Sequence, residues 1–169
     1  MVGEGGIECK NGGIKWYINY SPRTLMLIGE YTHTCDPKNR VSLPSKFRKE
    51  LGKKVIVTRG LDQCLFVHSP KTWSQFLLKM GDPSLGRAES RAFNRFILAG
   101  ATEVDVDSAG RILLPTHLKE FARITEKVVV AGLHRRVEIW DAALWSSYTK
   151  NIESDADALA ERLGELGML

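Results

Sequence analysis

The sequence lacks several features that would each place it in a class of proteins. It contains no run of 18 apolar residues, the length that would suggest a membrane-spanning helix. Polar residues and glycines between positions 8 and 13 interrupt any secretory hydrophobic segment. Its three cysteines, Cys9, Cys35 and Cys64, are odd in number and widely spaced, which favours reduced thiols over a disulfide framework. These absences favour a cytoplasmic protein with no membrane partner.

The patterns that catalytic and cofactor sites need are also missing. The sequence has no G-x-S-x-G nucleophile elbow, and the glycines at positions 3–6 lack the lysine and hydroxyl residue of a phosphate loop. His33 and Cys35 alternate on one predicted strand, but the other possible metal ligands are scattered along the chain. We therefore expect no catalytic residue, no metal, no cofactor and no small-molecule substrate.

What the sequence does contain is one pattern that occurs twice. D-x-x-[NG]-R-[VI]-x-L-P-[ST]-x-[FL]-[RK] runs from Asp36 to Arg48 and again from Asp107 to Lys119, 71 residues later. A long period seen only twice indicates a duplicated unit inside one domain, because a solenoid needs three or more repeats.

Each copy predicts a braced loop, a short strand and a short helix. Asn39 and Gly110 occupy the same place, and these residue types best tolerate the positive φ of a tight turn. The aspartate three positions earlier can accept backbone N–H bonds and brace that turn. The proline that follows the strand suits the first position of a helix. Arg40 and Arg111, at the loop exits, are then positioned by the brace rather than by the core.

Two interpretations of these arginines remain open on the sequence alone. Each Asp–Arg pair could simply stabilise its loop, although an exposed ion pair contributes only about 0–1 kcal/mol. Alternatively, an arginine fork on a braced loop suits phosphate groups or the O6/N7 edge of guanine.

The charge is unevenly distributed along the chain. Residues 36–60 hold eight basic and two acidic residues, a net +6, whereas residues 151–169 hold one basic and five acidic residues, a net −4. A concentrated basic segment favours an anionic partner such as nucleic acid, and a solvated basic surface is the alternative.

The rest of the chain predicts strands and amphipathic helices around both copies of the pattern. Turns are predicted at Gly60-Leu61 and at Gly132-Leu133. The helix over 88–98 places Phe93, Phe96 and Ile97 on its apolar side. The predicted strands are 26–34, 54–59, 64–68, 101–106, 127–131 and 136–140, and the predicted helices are 44–51, 70–80, 88–98, 115–121, one capped by Asp141, and 155–166.

Three features together carry a resemblance to a known family. The stretch 29–34 leads into Asp36, Lys38 and Arg40, the D-x-x-x-R loop is doubled, and Val-Glu-Ile-Trp-Asp follows at 137–141. In these features the chain resembles the MraZ family of bacterial regulators over about residues 26–152. The resemblance implies an α+β fold with two tandem pseudo-symmetric AbrB-like half-domains, which form one compact β-barrel-like domain with flanking helices.

The chain divides into four parts. The glycine-rich, aperiodic residues 1–25 predict a disordered extension, the doubled pattern gives repeats at 26–100 and 101–152, and the acidic residues 153–169 predict a helix or tail. By family, the protein would be a nucleoid-associated repressor of a division and cell-wall gene cluster that includes its own gene. It would bind short G-rich direct repeats in double-stranded DNA as a ring-shaped homo-oligomer.

Carried over position by position, the resemblance assigns roles within the two loops. The implied DNA contacts are Arg40, Arg111 and Lys38, with Lys46 and Arg48 as secondary candidates, and the implied loop-shaping residues are Asp36, Asn39, Asp107 and Gly110. The alternative function is an AbrB-like interaction scaffold, in which the acidic 155–166 segment binds a protein and DNA contact is incidental.

Overall fold

The computed structural model describes residues 26–80 and 87–168, and within them it has eight strands and five helices. This is the mixed α+β composition that the sequence predicts. The predicted extension at 1–25 lies outside the described residues. The strands are β1 (Leu27–Thr34), β2 (Arg40–Ser42), β3 (Lys54–Arg59), β4 (Leu65–His68), β5 (Thr102–Asp105), β6 (Arg111–Leu113), β7 (Lys127–His134) and β8 (Arg136–Asp141), and the helices are α1 (Ser45–Leu51), α2 (Pro70–Met80), α3 (Ala88–Leu98), α4 (Thr116–Phe121) and α5 (Ala142–Glu165).

Six strands form one antiparallel sheet, in the order β1-β7-β8-β4-β3-β5, and β2 pairs with β6 in a separate ribbon. The large sheet interleaves the two halves of the chain. Strand β1 pairs with β7 of the second half, β5 pairs with β3 of the first half, and β4 pairs with β8 at the centre. Neither half can form this sheet alone, so the two copies fold as one unit.

The prediction of a β-barrel-like domain was wrong, because the large sheet is open. Its edges are β1 and β5, which pair with β7 and β3 and not with each other. Beyond each edge strand the chain makes one further bridge, Cys35 to Val41 and Val106 to Ile112. There the aspartate loop turns the chain out of the sheet and into the β2–β6 ribbon. To close a barrel, the edge strands β1 and β5 would have to pair with each other. The chain instead continues from each of them into the β2–β6 ribbon.

The main core lies between one face of the large sheet and a layer made of the ribbon, α1 and α4. Val41 and Ile112 at the centre of the ribbon are fully buried, as are Phe47 of α1 and Leu118 of α4. Helices α2, α3 and α5 cover the opposite face of the sheet. Since both faces are covered, β3 and β4 have continuous apolar runs instead of the alternation typical of a half-exposed strand.

The helices differ from the predictions at three places. Pro44 and Pro115 occupy the N-cap position, with ψ of 139°, one residue before the predicted place. Phe93 of α3 is 41% exposed rather than part of the apolar side. Helix α5 begins after Asp141, which caps it as predicted by accepting a bond from Ala143 N at 3.0 Å. The same helix runs unbroken through residue 152, where a boundary was predicted.

The turn predicted at Gly132-Leu133 was also wrong, because both residues lie inside β7. The β7–β8 hairpin turns at His134 and Arg135 instead, with a φ of 59° at His134. Glycine has a different reason to be at position 132. A Cβ there would lie 2.7 Å from the backbone carbon of Leu27 and 2.8 Å from the nitrogen of Ile28.

We expect Gly132→Ala to lower the free energy of unfolding by about 1–3 kcal/mol, the usual cost of overpacking. The added methyl meets the backbone of β1, which cannot rotate away, and the ring of Phe47 at 2.7 Å. Urea unfolding measures the change. Gly164→Ala is the matched control, since a Cβ there meets no atom within 4 Å. Equal unfolding midpoints for the two variants would contradict the prediction.

Candidate nucleic-acid interface

The first arginine loop, residues 36–40, is organised by the carboxylate of Asp36. Its Oδ1 accepts hydrogen bonds from the backbone N–H groups of Lys38 and Arg40, each at 2.9 Å. Its Oδ2 contacts Nε and Nη2 of Arg40, each at 2.7 Å. Asn39, with a φ of 60°, closes the turn by donating its N–H to the carbonyl of Asp36 at 2.8 Å. One side chain therefore fixes both the loop backbone and the guanidinium.

The second arginine loop, residues 107–111, repeats these bonds. Oδ1 of Asp107 accepts from the backbone N–H groups of Ala109 and Arg111 at 2.9 Å, and Oδ2 contacts Nε and Nη2 of Arg111 at 2.8 Å. Gly110 has a φ of 78° and donates its N–H to the carbonyl of Asp107 at 2.8 Å. The loops share this geometry although they differ at three of their five residues.

Both aspartates are held in the ionised state. The backbone N–H of Arg40, together with its guanidinium, holds the pKa of the Asp36 carboxyl below its usual value. The equivalent groups of Arg111 lower the pKa of Asp107 in the same way. A carboxyl that stays ionised at neutral pH is a poor proton donor. The arrangement therefore suits bracing of a cation and not acid catalysis.

Each guanidinium has one edge that the aspartate does not occupy. The Nε and Nη2 groups face the aspartate, while Nη1 has no hydrogen-bond partner among the described residues. The side chains of Arg40 and Arg111 are 32% and 34% exposed. Arginine contacts phosphate or guanine through a pair of nitrogens, and the Nη1–Nη2 edge remains for that purpose.

The β2–β6 ribbon brings the two arginines to one surface. Arg40 is opposite Leu113 and Arg111 is opposite Ser42, with a buried pair between them. Because side chains alternate along a strand, these four residues share the outward face of the ribbon, which we call the arginine face. The two arginines are diagonal neighbours, which places their Cα atoms about 7–8 Å apart. Two arginines 71 residues apart in sequence therefore lie on one face of the ribbon.

Each loop is also held by a helix of the other half. Nζ of Lys119, on α4, donates to Oδ1 of Asn39 at 2.8 Å. The guanidinium of Arg48, on α1, lies so close to Gly110 that a Cβ there would collide with it. Nε of Arg48 also donates to the carbonyl of Leu43 at 2.7 Å. Arg48 and Lys119 occupy the same place in the repeat, so these contacts are equivalent.

These contacts show what the sequence analysis missed. Arg48 stays a prediction as a secondary DNA contact, and the sequence analysis did not foresee that its guanidinium lies against Gly110 of the second loop while Nε donates to the carbonyl of Leu43. Lys119 was not singled out, although the last position of the doubled pattern, arginine or lysine in both copies, marks it. Lys38 and Lys46 are exposed, on the first loop and on α1 respectively. The second loop has Ala109 where the first loop has Lys38, so the surface is more basic beside the first loop.

Possible metal ligands and free thiols are not clustered in the described part of the chain. Residues 26–80 and 87–168 contain no group of three or more side chains able to hold a metal, so His33 and Cys35 stand without further ligands there. Burial raises the pKa of the free thiols of Cys35 and Cys64, which keeps them protonated and unreactive. No helix within those ranges is long and apolar enough to cross a membrane.

Comparison with known proteins finds relatives along most of the chain. A transcriptional regulator MraZ from Thermoanaerobacter sp. strain X514 is 45% identical over 143 residues, which are 85% of this chain and 100% of the relative. Proteins of the same name from Caldanaerobacter subterraneus subsp. tengcongensis and Moorella thermoacetica are 47% and 46% identical over 138 residues, covering 82% of this chain and 96% of each relative.

The family described as "MraZ protein" and as antitoxin-like matches the chain twice, over residues 26–96 and 97–165. Each match contains one arginine loop, and the division between them falls in the last turn of α3, so that β5 and the later strands belong to the second match. Two adjacent family matches and relatives at 45–47% identity lead to one conclusion: the chain belongs to the MraZ family.

Proposed function

We propose that this protein is a DNA-binding transcriptional repressor that reads short G-rich direct repeats through its arginine face. Its target is the division and cell-wall gene cluster that includes its own gene, and it binds as a ring-shaped homo-oligomer. The name of its relatives, transcriptional regulator MraZ, supports the regulatory part of the proposal. The DNA-contact residues are Arg40, Arg111 and Lys38, with Lys46 as a backbone contact.

The observation that carries the proposal is that two arginines with braced guanidinium groups lie on the same face of the ribbon. An arginine held by a carboxylate has already lost much of its rotamer freedom, so less entropy is lost when it contacts a base. Both arginines are held in this way on one face of the ribbon. A pair of loops built only for stability would gain little from such exposed ion pairs, and it would not need them side by side.

A ring explains how so few contacts could give a specific complex. One subunit offers two arginine loops, which limits the affinity of a single copy. Neighbouring subunits related by rotation would each meet one repeat of the DNA, and linked contacts multiply affinity without new chemistry. Rotation of this kind matches direct repeats rather than palindromes.

Fluorescence anisotropy with DNA from immediately upstream of the protein's own gene tests the proposal. A scrambled fragment of the same composition is the control, and both are measured at two salt concentrations. We expect the native fragment to bind about a thousandfold more tightly at physiological salt, the lower range for specific operators. The preference should persist as salt rises while both affinities fall. Equal affinities that collapse together would reject the proposal.

A protein-interaction scaffold is the second candidate, and one observation favours it. From residue 150 to 168 every side chain of the chain's last helix and its end is exposed except the half-exposed Leu159, and the segment is acidic. The family's antitoxin-like description agrees with such a role. A version ending at Ile152 separates the two candidates. If it keeps full DNA affinity and loses a protein partner that the full chain retains, the scaffold is favoured.

A further inference from the structure

The duplication also produced two aromatic clusters on the face of the large sheet that α2, α3 and α5 cover. Each joins one residue of a central strand to two residues of the following helix, and ring centroids within a cluster lie 4.9–6.2 Å apart. Corresponding members are 72 residues apart in sequence. The first cluster is His68, Trp73 and Phe76, and the second is Trp140, Trp145 and Tyr148.

The two clusters differ in how their buried nitrogens are satisfied. Nε1 of Trp140 donates to Oε2 of Glu138 at 3.1 Å. The residue equivalent to Glu138 in the first copy is Phe66, which offers no acceptor. His68 is only 4% exposed, and neither of its ring nitrogens has a hydrogen-bond partner among the described residues. Buried polar groups are nearly always paired, so this histidine requires a partner from outside.

His68 borders a cavity, and because both of its ring nitrogens are buried, a rotation of the ring would be needed to bring one of them to a group bound there. The cavity has a volume of about 130 Å³, several times the space that one water needs and less than drug-sized ligand sites occupy. Its wall combines the ring of Phe76 with three cationic side chains. The lining residues are His68, Thr72, Gln75, Phe76, Lys79, Arg135 and Arg136.

The charges around this cavity are only partly neutralised. Arg136 pairs with Glu138, with Nη2 2.8 Å from Oε1. Lys79 and Arg135 are exposed and have no ion pair among the described residues; Arg135 makes one 3.4 Å hydrogen bond, to Gln75. Burial and the charge of Arg136 lower the pKa of His68 to about 4, so at neutral pH its ring offers one donor and one acceptor. Two cations that have no ion pair within residues 26–80 and 87–168, together with a neutral hydrogen-bonding ring, suit an anion.

We propose that the cavity binds a small organic carboxylate. Its carboxylate oxygens would contact Lys79 and Arg135, its apolar part would pack on Phe76, and a hydrogen bond would satisfy His68. A carboxylate fits better than a neutral ligand because charge-assisted bonds to arginine and lysine are about twice as strong as neutral ones. This is a binding site and not a catalytic one. It lies on the face of the sheet that α2, α3 and α5 cover, whereas the ribbon with the arginine face lies on the opposite side.

Benzoate is a suitable probe, and benzamide is its neutral analogue of the same shape. The full chain, with its histidine rings isotopically labelled, is titrated with each compound and followed by NMR. We expect saturable shifts of the His68 resonances with benzoate, with a Kd on the order of 1 mM, and binding about tenfold weaker for benzamide. Unsaturable or absent shifts at His68 would reject the site.

The charge requirement has its own test in the double variant Lys79→Gln and Arg135→Gln. Both side chains are exposed, and the Arg136–Glu138 pair remains, so the fold is expected to persist. Benzoate should bind this variant about tenfold more weakly, whereas a control that changes the exposed Lys49 and Arg123 to glutamine should bind as the parent does. Equal affinity in both variants would overturn the proposal.

Discussion

Changing Arg40 and Arg111 together to alanine is expected to abolish preferential binding to the native DNA fragment. Each specific arginine contact contributes about 1–3 kcal/mol, so each single variant should lose roughly ten- to a hundredfold in affinity. The losses should combine in the double variant, and subunits linked in a ring would amplify them. Anisotropy at two salt concentrations measures both the affinity and the number of ionic contacts, since the salt slope falls by about 1 for each phosphate contact removed.

The fold should survive these changes, because the arginines are positioned outside the core. Circular dichroism and the thermal midpoint verify this for each variant. Arg87→Ala is the matched control, since Arg87, the N-cap residue of α3, is 90% exposed and its Nε lies 4.0 Å from Oε2 of Glu89. If the double variant binds DNA as the parent does, the arginine face is not the DNA contact.

Acidification is expected to destabilise the protein through His68. The pKa of this ring is lowered from 6.5 to about 4 by burial and then by the charge of Arg136, so the unfolded chain binds the proton more readily. The stability linked to the neutral ring is complete above pH 6.5 and is lost progressively as pH falls towards 4. The total loss is about 3 kcal/mol, from 1.36 kcal/mol for each pKa unit.

Urea unfolding at a series of pH values between these two limits measures the effect. His68→Phe keeps an aromatic ring in the cluster and cannot titrate, so its stability should vary much less over the same interval. His134→Gln, at an exposed histidine, should retain the dependence of the parent protein. The loop carboxylates do not confuse the result, because the pKa values of Asp36 and Asp107 lie below 3.8. Parallel curves for the parent and His68→Phe would contradict the prediction.

The two copies of the pattern have the same backbone conformation in their loops. They differ in the side chains that contact the helices of the other half. Asn39 and Gly110 both adopt positive φ, but only the asparagine offers an oxygen to Lys119, and only the glycine leaves room for Arg48. Exchanging the two residue types would therefore break both supports while keeping both turns. The copies are equivalent in backbone and complementary in side chains.

Features that depend on neighbouring residues could be read from the sequence. The aspartate brace, the positive φ of each turn and the capped start of α5 all rest on contacts between residues up to four positions apart. The family followed from the same local motifs and their spacing.

Features that depend on distant partners required the tertiary structure. The sequence analysis predicted a barrel, but the loops at Asp36 and Asp107 turn each edge strand into the ribbon and leave the sheet open. It placed a turn at Gly132, where the approach of β1 demands a glycine inside a strand. It assigned no role to His68, whose lack of a hydrogen-bond partner among the described residues appears only once Phe66 and α2 are packed around it.

The sequence by itself determined that two braced arginine loops exist, because turn chemistry is local. Only the tertiary structure decided that their arginines share one face of the ribbon. Their union depends on the pairing of β2 with β6 across 71 residues, which the burial of Val41 against Ile112 stabilises and which no local pattern encodes. The cavity beside His68 has the same origin, since it lies where α2 meets the start of β8.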